Sequence, residues 1–146
     1  MMRHALVLAA TVLLIGCGSS PPEAPPTILG AWEGEGAQWD DGDRSQPPSG
    51  RWPLRVRVLA SASGDLAATV EYPSFPCSGT LRYVGSSTEP DARPGDVIFL
   101  EDIQIGDDIC VSGGTVLLRL DGDELVFAWA IDGAPTTASA RLSREE

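Results

Sequence analysis

Hydrophobic and polar residues alternate along most of the chain after residue 28, in short segments separated by turn residues. The clearest segment is 52–60, where Trp52, Leu54, Val56 and Val58 share one face and arginines occupy the other. Alternation of this kind is typical of half-buried β-strands, and no segment shows the 3.6-residue period of a helix. The pattern therefore predicts an all-β fold.

The alternation predicts eight strands, at residues 28–37, 52–60, 66–72, 77–84, 96–105, 115–120, 125–131 and 136–142. Turn signals such as Asp121-Gly122-Asp123 separate them. Short connections favour antiparallel neighbours, and eight antiparallel strands of this length close into an up-and-down barrel without free edges. A two-sheet β-sandwich is the alternative. We predict a β-barrel domain over residues 28–143, with a polar tail at 144–146.

A short apolar run precedes the β region. It covers residues 5–15, follows the basic residue Arg3, and ends in Leu14-Ile15-Gly16-Cys17. A basic start, a short apolar stretch and small residues at its end are the layout of a bacterial secretion signal. A membrane span would need roughly 20 apolar residues. Residues 1–16 are therefore predicted to be a signal peptide.

Residues 14–17 resemble the lipobox of bacterial lipoproteins, in which a leucine, a small or apolar residue and a glycine precede a cysteine. The resemblance implies that Cys17 is acylated, with palmitate among the expected groups, and begins the mature protein. The alternative for Cys17 is an ordinary disulfide. Two or three acyl chains hold a protein firmly on a membrane. Residues 17–27, rich in proline and serine, would then tether the domain.

The lipobox resemblance also implies a location in the bacterial cell envelope. In Gram-negative lipoproteins an aspartate after the cysteine resembles a signal for retention in the inner membrane, and this chain has Gly18 there. We therefore expect the outer membrane, if the cell has one.

The net charge of the chain limits the classes of partner that it can bind. The formal net charge is -11, and it becomes -12 after loss of residues 1–16, whose only charged residue is Arg3. Nucleic acids are excluded because phosphate binding needs a basic patch, whereas a cationic partner would be attracted. The acidic segment Asp40-Asp41-Gly42-Asp43 lacks the spacing of a calcium loop, so we expect turns in solvent and no metal site.

The residue types left for catalysis are few. All ten basic residues are arginines, and the single histidine, His4, lies in the predicted signal peptide. Nucleophile arrangements that need histidine or lysine are therefore absent from the mature chain, as are histidine zinc sites. We expect no catalytic residue, no cofactor and no enzymatic activity, with a carboxylate-based hydrolase as the weakest hypothesis.

The remaining cysteines predict a disulfide. If Cys17 is lipidated, Cys77 and Cys110 are left, and an oxidising compartment favours their pairing. Closing a loop of roughly 34 residues would stabilise the fold by about 3–4 kcal/mol in chain-entropy terms. Two free buried thiols are the alternative.

The segment Gly30-Ala31-Trp32 resembles the Gly-x-Trp opening of lipocalin- and avidin-like barrels. The resemblance implies that Trp32 packs across the bottom of the barrel. The order Gly-x-Trp, Tyr72-Pro73, Cys77-x-Gly79, Glu101-x-Ile103 and Cys110 before Gly113-Gly114 is similar to a β-domain of bacterial extracytoplasmic proteins. No activity is assigned to that domain, so this wider likeness supports the fold and the disulfide alone.

Glu101 is the candidate polar residue of the barrel interior. It shares a strand face with four apolar residues, Val97, Phe99, Ile103 and Ile105. A buried carboxylate must be paired or neutralised, and we name Arg82 and Arg119 as candidate partners. A structural Glu–Arg pair is favoured over a ligand contact. The alternative is a bulge or a solvent-facing Glu101, since Ile98 and Leu100 make the other face apolar too.

Three arginines lie in or directly before the segment 52–60, on the face opposite its apolar residues. Arg51, Arg55 and Arg57 are expected to pair across strands with acids such as Glu71. A surface for an anion or a partner is the alternative.

Two functional hypotheses follow. The first is a non-enzymatic binding or accessory module for another envelope macromolecule, with inhibition as one form. The second is a lipocalin-like carrier of a small apolar ligand. A filled interior favours the first and an apolar cavity of some hundreds of Å³ the second. Five bulky residues predict a filled interior: Trp32, Trp52, Phe99, Phe127 and Trp129.

Overall fold

The alternating segments form eight strands, and each strand pairs with its neighbour in the chain. The computed structural model describes residues 27–146. The strands are β1 (Gly30–Trp39), β2 (Gly50–Ala60), β3 (Leu66–Tyr72), β4 (Cys77–Ser86), β5 (Val97–Ile105), β6 (Thr115–Asp121), β7 (Glu124–Ala130) and β8 (Thr137–Arg144). Because β8 pairs antiparallel with β1, the sheet closes into a barrel. The predicted up-and-down barrel is confirmed, and the two-sheet sandwich does not form.

The predicted signal peptide, the lipobox with Cys17 and the tether up to residue 26 lie outside the described residues. Between residues 27 and 146 no helix is long and apolar enough to cross a membrane.

One end of the barrel is closed by Trp32, as the resemblance to lipocalin-like barrels implies. The side chain is only 1% exposed, and its Nε1 donates a hydrogen bond to the Ile28 carbonyl oxygen at 2.8 Å. The Arg144 guanidinium lies 4.2 Å from the centre of the indole ring and donates to the carbonyl oxygens of Leu29 and Thr27. Because Arg144 belongs to β8, the polar tail starts at Glu145, one residue later than expected.

The closed half of the barrel is filled with side chains. Phe99, Leu118 and Leu142 are among its buried residues. At the same end, Asp96 is 2% exposed and accepts hydrogen bonds from Arg119 Nη2 at 2.5 Å and from Arg119 Nε at 2.9 Å. These bonds hold the pKa of Asp96 below its usual value. Arg119 is therefore the partner of Asp96 and not of Glu101.

The inward face of β5 follows the predicted alternation up to Ile103. Ile105, expected on the same face, is 64% exposed. The pairing of β4 with β5 explains this difference. Gly79 lies opposite Ile103, and its neighbour in β4, Ser78, lies opposite Ile105, which is two residues further along β5. The extra residue on β5 is a bulge, which reverses the side on which later side chains lie.

The arginines of β2 lie outside the barrel. They pair with acids in three exposed contacts: Arg51 with Glu35 at 3.0 Å, Arg55 with Glu33 at 3.6 Å and Arg57 with Glu145 at 4.0 Å. Glu71, the expected partner, is opposite Arg55 in the register, but the ion pair of Arg55 is with Glu33. Such exposed pairs contribute about 0–1 kcal/mol each.

Candidate functional site

The half of the barrel away from Trp32 is hollow. A cavity of about 610 Å³ opens at the end where β1, β3, β5 and β7 finish. Five aromatic side chains contribute to its wall: Trp52, Tyr72, Phe75, Phe127 and Trp129. The predicted filled interior thus holds for Trp32, Phe99 and Phe127, which are buried in the core. Trp52 and Trp129 instead lie along the cavity wall, to which Phe127 also contributes.

Glu101 lies at the inner end of this cavity. It is 4% exposed and lines the cavity, whereas Phe99, two residues nearer the closed end, does not. The Tyr72 hydroxyl donates to Oε1 of Glu101 at 2.5 Å, and Nε1 of Trp129 donates to Oε2 at 2.8 Å. The carboxylate is therefore held by one neutral donor on each oxygen.

The expected pairing of Glu101 with an arginine is wrong. Arg82 is exposed on β4, and Arg119 is bonded to Asp96. Within residues 27–146, no basic nitrogen lies within 4.0 Å of the Glu101 carboxylate. Arg119 does not reach Glu101 because it lies near Asp96 at the filled end of the barrel, whereas Glu101 lines the cavity in the other half.

The surroundings of Glu101 shift its acidity. Burial raises the pKa of Glu101 above its ordinary value, and the hydrogen bonds from Tyr72 and Trp129 partly oppose this effect. Burial, together with the neighbouring carboxylate, also raises the pKa of Tyr72, so this hydroxyl stays a neutral donor. The site therefore holds a carboxyl group that is harder to ionise than one exposed to solvent.

The connection between β5 and β6 builds one wall of the site. The Glu101 N–H donates to the Gly114 carbonyl oxygen at 2.8 Å, and the Gly113 N–H donates to the Glu101 carbonyl oxygen at 3.0 Å. A side chain at Gly114 would overlap the indole of Trp129. Glycine at this position therefore lets Trp129 reach the Glu101 carboxylate.

The predicted disulfide between Cys77 and Cys110 is present, with a Cα–Cα distance of 6.4 Å. It joins the start of β4 to the β5–β6 connection, and Cys110 lines the cavity. The bond therefore fixes a wall of the cavity as well as closing a loop.

The mouth of the cavity combines exposed apolar and polar side chains. Phe75, Ile109 and Val111 are exposed there, and Phe75 meets the Trp52 ring edge to face at 6.3 Å. The charged residues of the cavity lining, besides Glu101, are Asp40 and the ion-paired Arg51. The rim can thus contact an apolar ligand while remaining acidic.

The acidic segment 40–43 forms turns next to this mouth. The Asp43 N–H donates to the Asp41 carboxylate, and Ser45 donates to the Asp43 carboxylate through both its hydroxyl and its N–H. The Ser45 hydrogen bonds lower the pKa of Asp43. The described part of the chain contains no group of three or more acidic, cysteine or histidine side chains placed to hold a metal ion.

Two residues of the site were missed by sequence reasoning. Tyr72 and Trp129 are both recognisable as inward-facing positions of their strands, yet their link to Glu101 is not visible in the sequence. They lie 29 and 28 positions from Glu101. Only the closure of the barrel brings the three strands around one cavity.

A closed eight-stranded antiparallel barrel with a tryptophan at its base and a cavity at its open end is consistent with a lipocalin-like barrel. Comparison of the chain with protein-family models, with curated proteins and with solved structures finds no match.

Proposed function

We propose that the protein binds and carries a small, mainly apolar ligand in the open half of its barrel. The observation that carries this proposal is the cavity of about 610 Å³ with its aromatic wall. Small-molecule sites typically measure about 300–1,000 Å³ and combine apolar walls with a few polar groups. Glu101, with its two hydrogen-bond donors, is the polar group at the inner end.

The second of the two sequence hypotheses is therefore preferred to the first. A module that binds another macromolecule needs a complementary outer surface and no cavity. The negative charge and the two long connections, residues 40–49 between β1 and β2 and residues 87–96 between β4 and β5, support a surface role for a cationic envelope partner. They do not account for an apolar interior. Capture of such a partner without binding of an apolar probe would favour that surface role.

We further propose that the carrier is a lipoprotein of the bacterial cell envelope, anchored through Cys17. Support comes from the lipobox-like residues 14–17 and from where the chain enters the barrel. The Thr27 carbonyl oxygen is bonded to Arg144 at the closed end, opposite the cavity mouth. A tether that arrives there leaves the mouth free to exchange ligand.

Ligand binding can be tested with the neutral fluorescent probe N-phenyl-1-naphthylamine. Every strand pairing and the disulfide lie within the described residues 27–146, so soluble protein starting at Gly18 contains the whole barrel. We expect one probe per protein, with enhanced fluorescence and a Kd of about 1–10 μM, in the range of modest apolar ligands. Ala138→Phe, which places a ring in the cavity, should weaken binding at least about tenfold, one factor of ten being 1.4 kcal/mol.

The control variant is Ser139→Phe, at the next position of β8, which does not line the cavity. It should bind the probe like the wild type. If no apolar probe binds, and a basic envelope protein is instead captured in a salt-dependent manner, the carrier proposal is wrong and the binding module replaces it.

The anchor gives a separate prediction. Cys17→Ser should release the protein from the membrane fraction or leave it as uncleaved precursor, because serine cannot carry the thioether-linked lipid. Fractionation of cells with immunoblotting measures both outcomes. Processed Cys17→Ser protein that stays on the membrane would contradict lipidation.

A further inference from the structure

The barrel treats its two buried carboxylates differently. Within the described residues, Asp96 and Glu101 are the buried charged side chains. Asp96 is neutralised by Arg119 through hydrogen bonds to both carboxylate oxygens. Glu101 has only the neutral donors Tyr72 and Trp129. A buried carboxylate without a cation is unfavourable, so one that faces a cavity marks a place where a ligand can supply the missing charge.

The Glu101 carboxylate has room for a further donor. An ionised carboxylate offers about four acceptor positions, and Tyr72 and Trp129 occupy one on each oxygen. The residue also lines the cavity, so its remaining positions can be reached from inside. A bound N–H group would occupy one of the two remaining positions.

The walls of the cavity favour an organic cation. Aromatic rings attract ammonium groups through their negative faces, and the cavity that Glu101 lines is also lined by Trp52, Tyr72, Phe127 and Trp129. The other charged groups of the lining are Asp40, which is also acidic, and Arg51, whose charge is balanced by Glu35 at 3.0 Å. The strongly negative chain as a whole attracts cations towards the mouth.

We propose that the cavity binds an organic amine in its ammonium form, with the N–H groups donating to Glu101 and the apolar body lying among the aromatic side chains. This inference rests on the proposed carrier function and specifies the polar end of its ligand. A neutral alcohol can donate one hydrogen bond to Glu101 but brings no charge. A carboxylate ligand would place a second negative charge beside it.

Amine binding should release protons at a pH that lies between the pKa values of Glu101 in the complex and in the free protein. Burial raises the pKa of Glu101 in the free protein, and a bound ammonium should lower it again. The other ionisable side chains that line the cavity are Tyr72, Arg51 and Asp40. Burial raises the pKa of Tyr72, Arg51 is ion-paired with Glu35, and Asp40 follows the outer end of β1. Calorimetry in buffers of different ionisation enthalpy measures the released protons.

The decisive experiment compares three ligands with one indole body: tryptamine, tryptophol and indole-3-propionate. Each is titrated calorimetrically into the soluble protein that starts at Gly18. We expect tryptamine to bind about tenfold or more tightly than tryptophol, with indole-3-propionate weakest, because a charged hydrogen bond exceeds a neutral one. Glu101→Gln should abolish this preference and the proton release, because the amide carries no charge and binds no proton.

The control variant is Asp102→Asn, which removes one negative charge at the next, exposed position of β5. It should keep the preference for tryptamine. The inference is overturned if tryptamine binds no better than tryptophol, or if the preference persists in Glu101→Gln. Since tryptophol and the naphthylamine probe report on the cavity itself, their binding separates failure of this inference from failure of the carrier function. Should Glu101→Gln not fold, the ligand order and proton release of the wild type decide.

Discussion

Replacing Trp32 with alanine is expected to lower the free energy of unfolding by about 3–5 kcal/mol, the usual cost of removing a buried large aromatic side chain. The indole is 1% exposed and closes the base of the barrel. Its loss would leave a cavity there, free the Ile28 carbonyl oxygen, and remove the ring against which Arg144 lies. Urea unfolding followed by circular dichroism measures the change.

Trp39→Ala supplies a matched control at the other end of the same strand. Trp39 is half-buried, with Nε1 bonded to the Gln46 carbonyl oxygen and Arg44 over its ring. We expect a smaller loss of about 1 kcal/mol, the net value of one hydrogen bond. A Trp32→Ala protein no less stable than Trp39→Ala would show that the base of the barrel is not a packed core.

Removing the disulfide is expected to cost about 2–5 kcal/mol, the usual range for a small secreted domain. Cys77→Ala, Cys110→Ala and the double variant should be destabilised alike, because each change breaks the same bond. The variants should also bind apolar probe more weakly, since the β5–β6 connection and Cys110 form part of the cavity wall. Urea unfolding and probe titration measure the two effects.

The oxidised wild type provides the reference for this comparison. Without reduction its intact mass should be lower than that of the reduced protein by two hydrogens. Free thiols in native, oxidised protein, or a double variant as stable as the wild type, would contradict a stabilising bond between Cys77 and Cys110.

The two ends of the barrel differ in how their buried polar groups are satisfied. At the closed end, Trp32, Arg144 and the Asp96–Arg119 pair satisfy their polar groups within the protein. At the open end, Glu101 is buried without a cation, and apolar side chains are exposed at the mouth. If the open end binds the proposed ligand, stability and ligand binding depend on separate residues, so the Trp32 and Glu101 variants should affect different measurements.

The strands and their order are determined locally, which is why the sequence alone predicts them. Alternation of side chains between two faces depends on neighbours along the chain, and turn residues such as Asp121-Gly122-Asp123 mark where strands end. The predicted ends differ from the structure by one or two residues in most strands, as when β1 continues to Trp39 and β8 to Arg144. The Cys77–Cys110 pair also follows from composition if Cys17 carries lipid, because the two cysteines that are then left allow only one pairing.

The partners and the cavity are decided by tertiary structure. Alternation leaves open whether Glu101 faces inward, since both faces of its strand are apolar. Its donors come from β3 and β7, which only the closed barrel brings to the same level. The position of Arg119 along the barrel axis, and the bulge that turns Ile105 outward, are likewise absent from a pattern of period two. Whether a bulky residue fills the barrel or lines the cavity depends on its height along the barrel axis. The amino-acid sequence alone does not give that height.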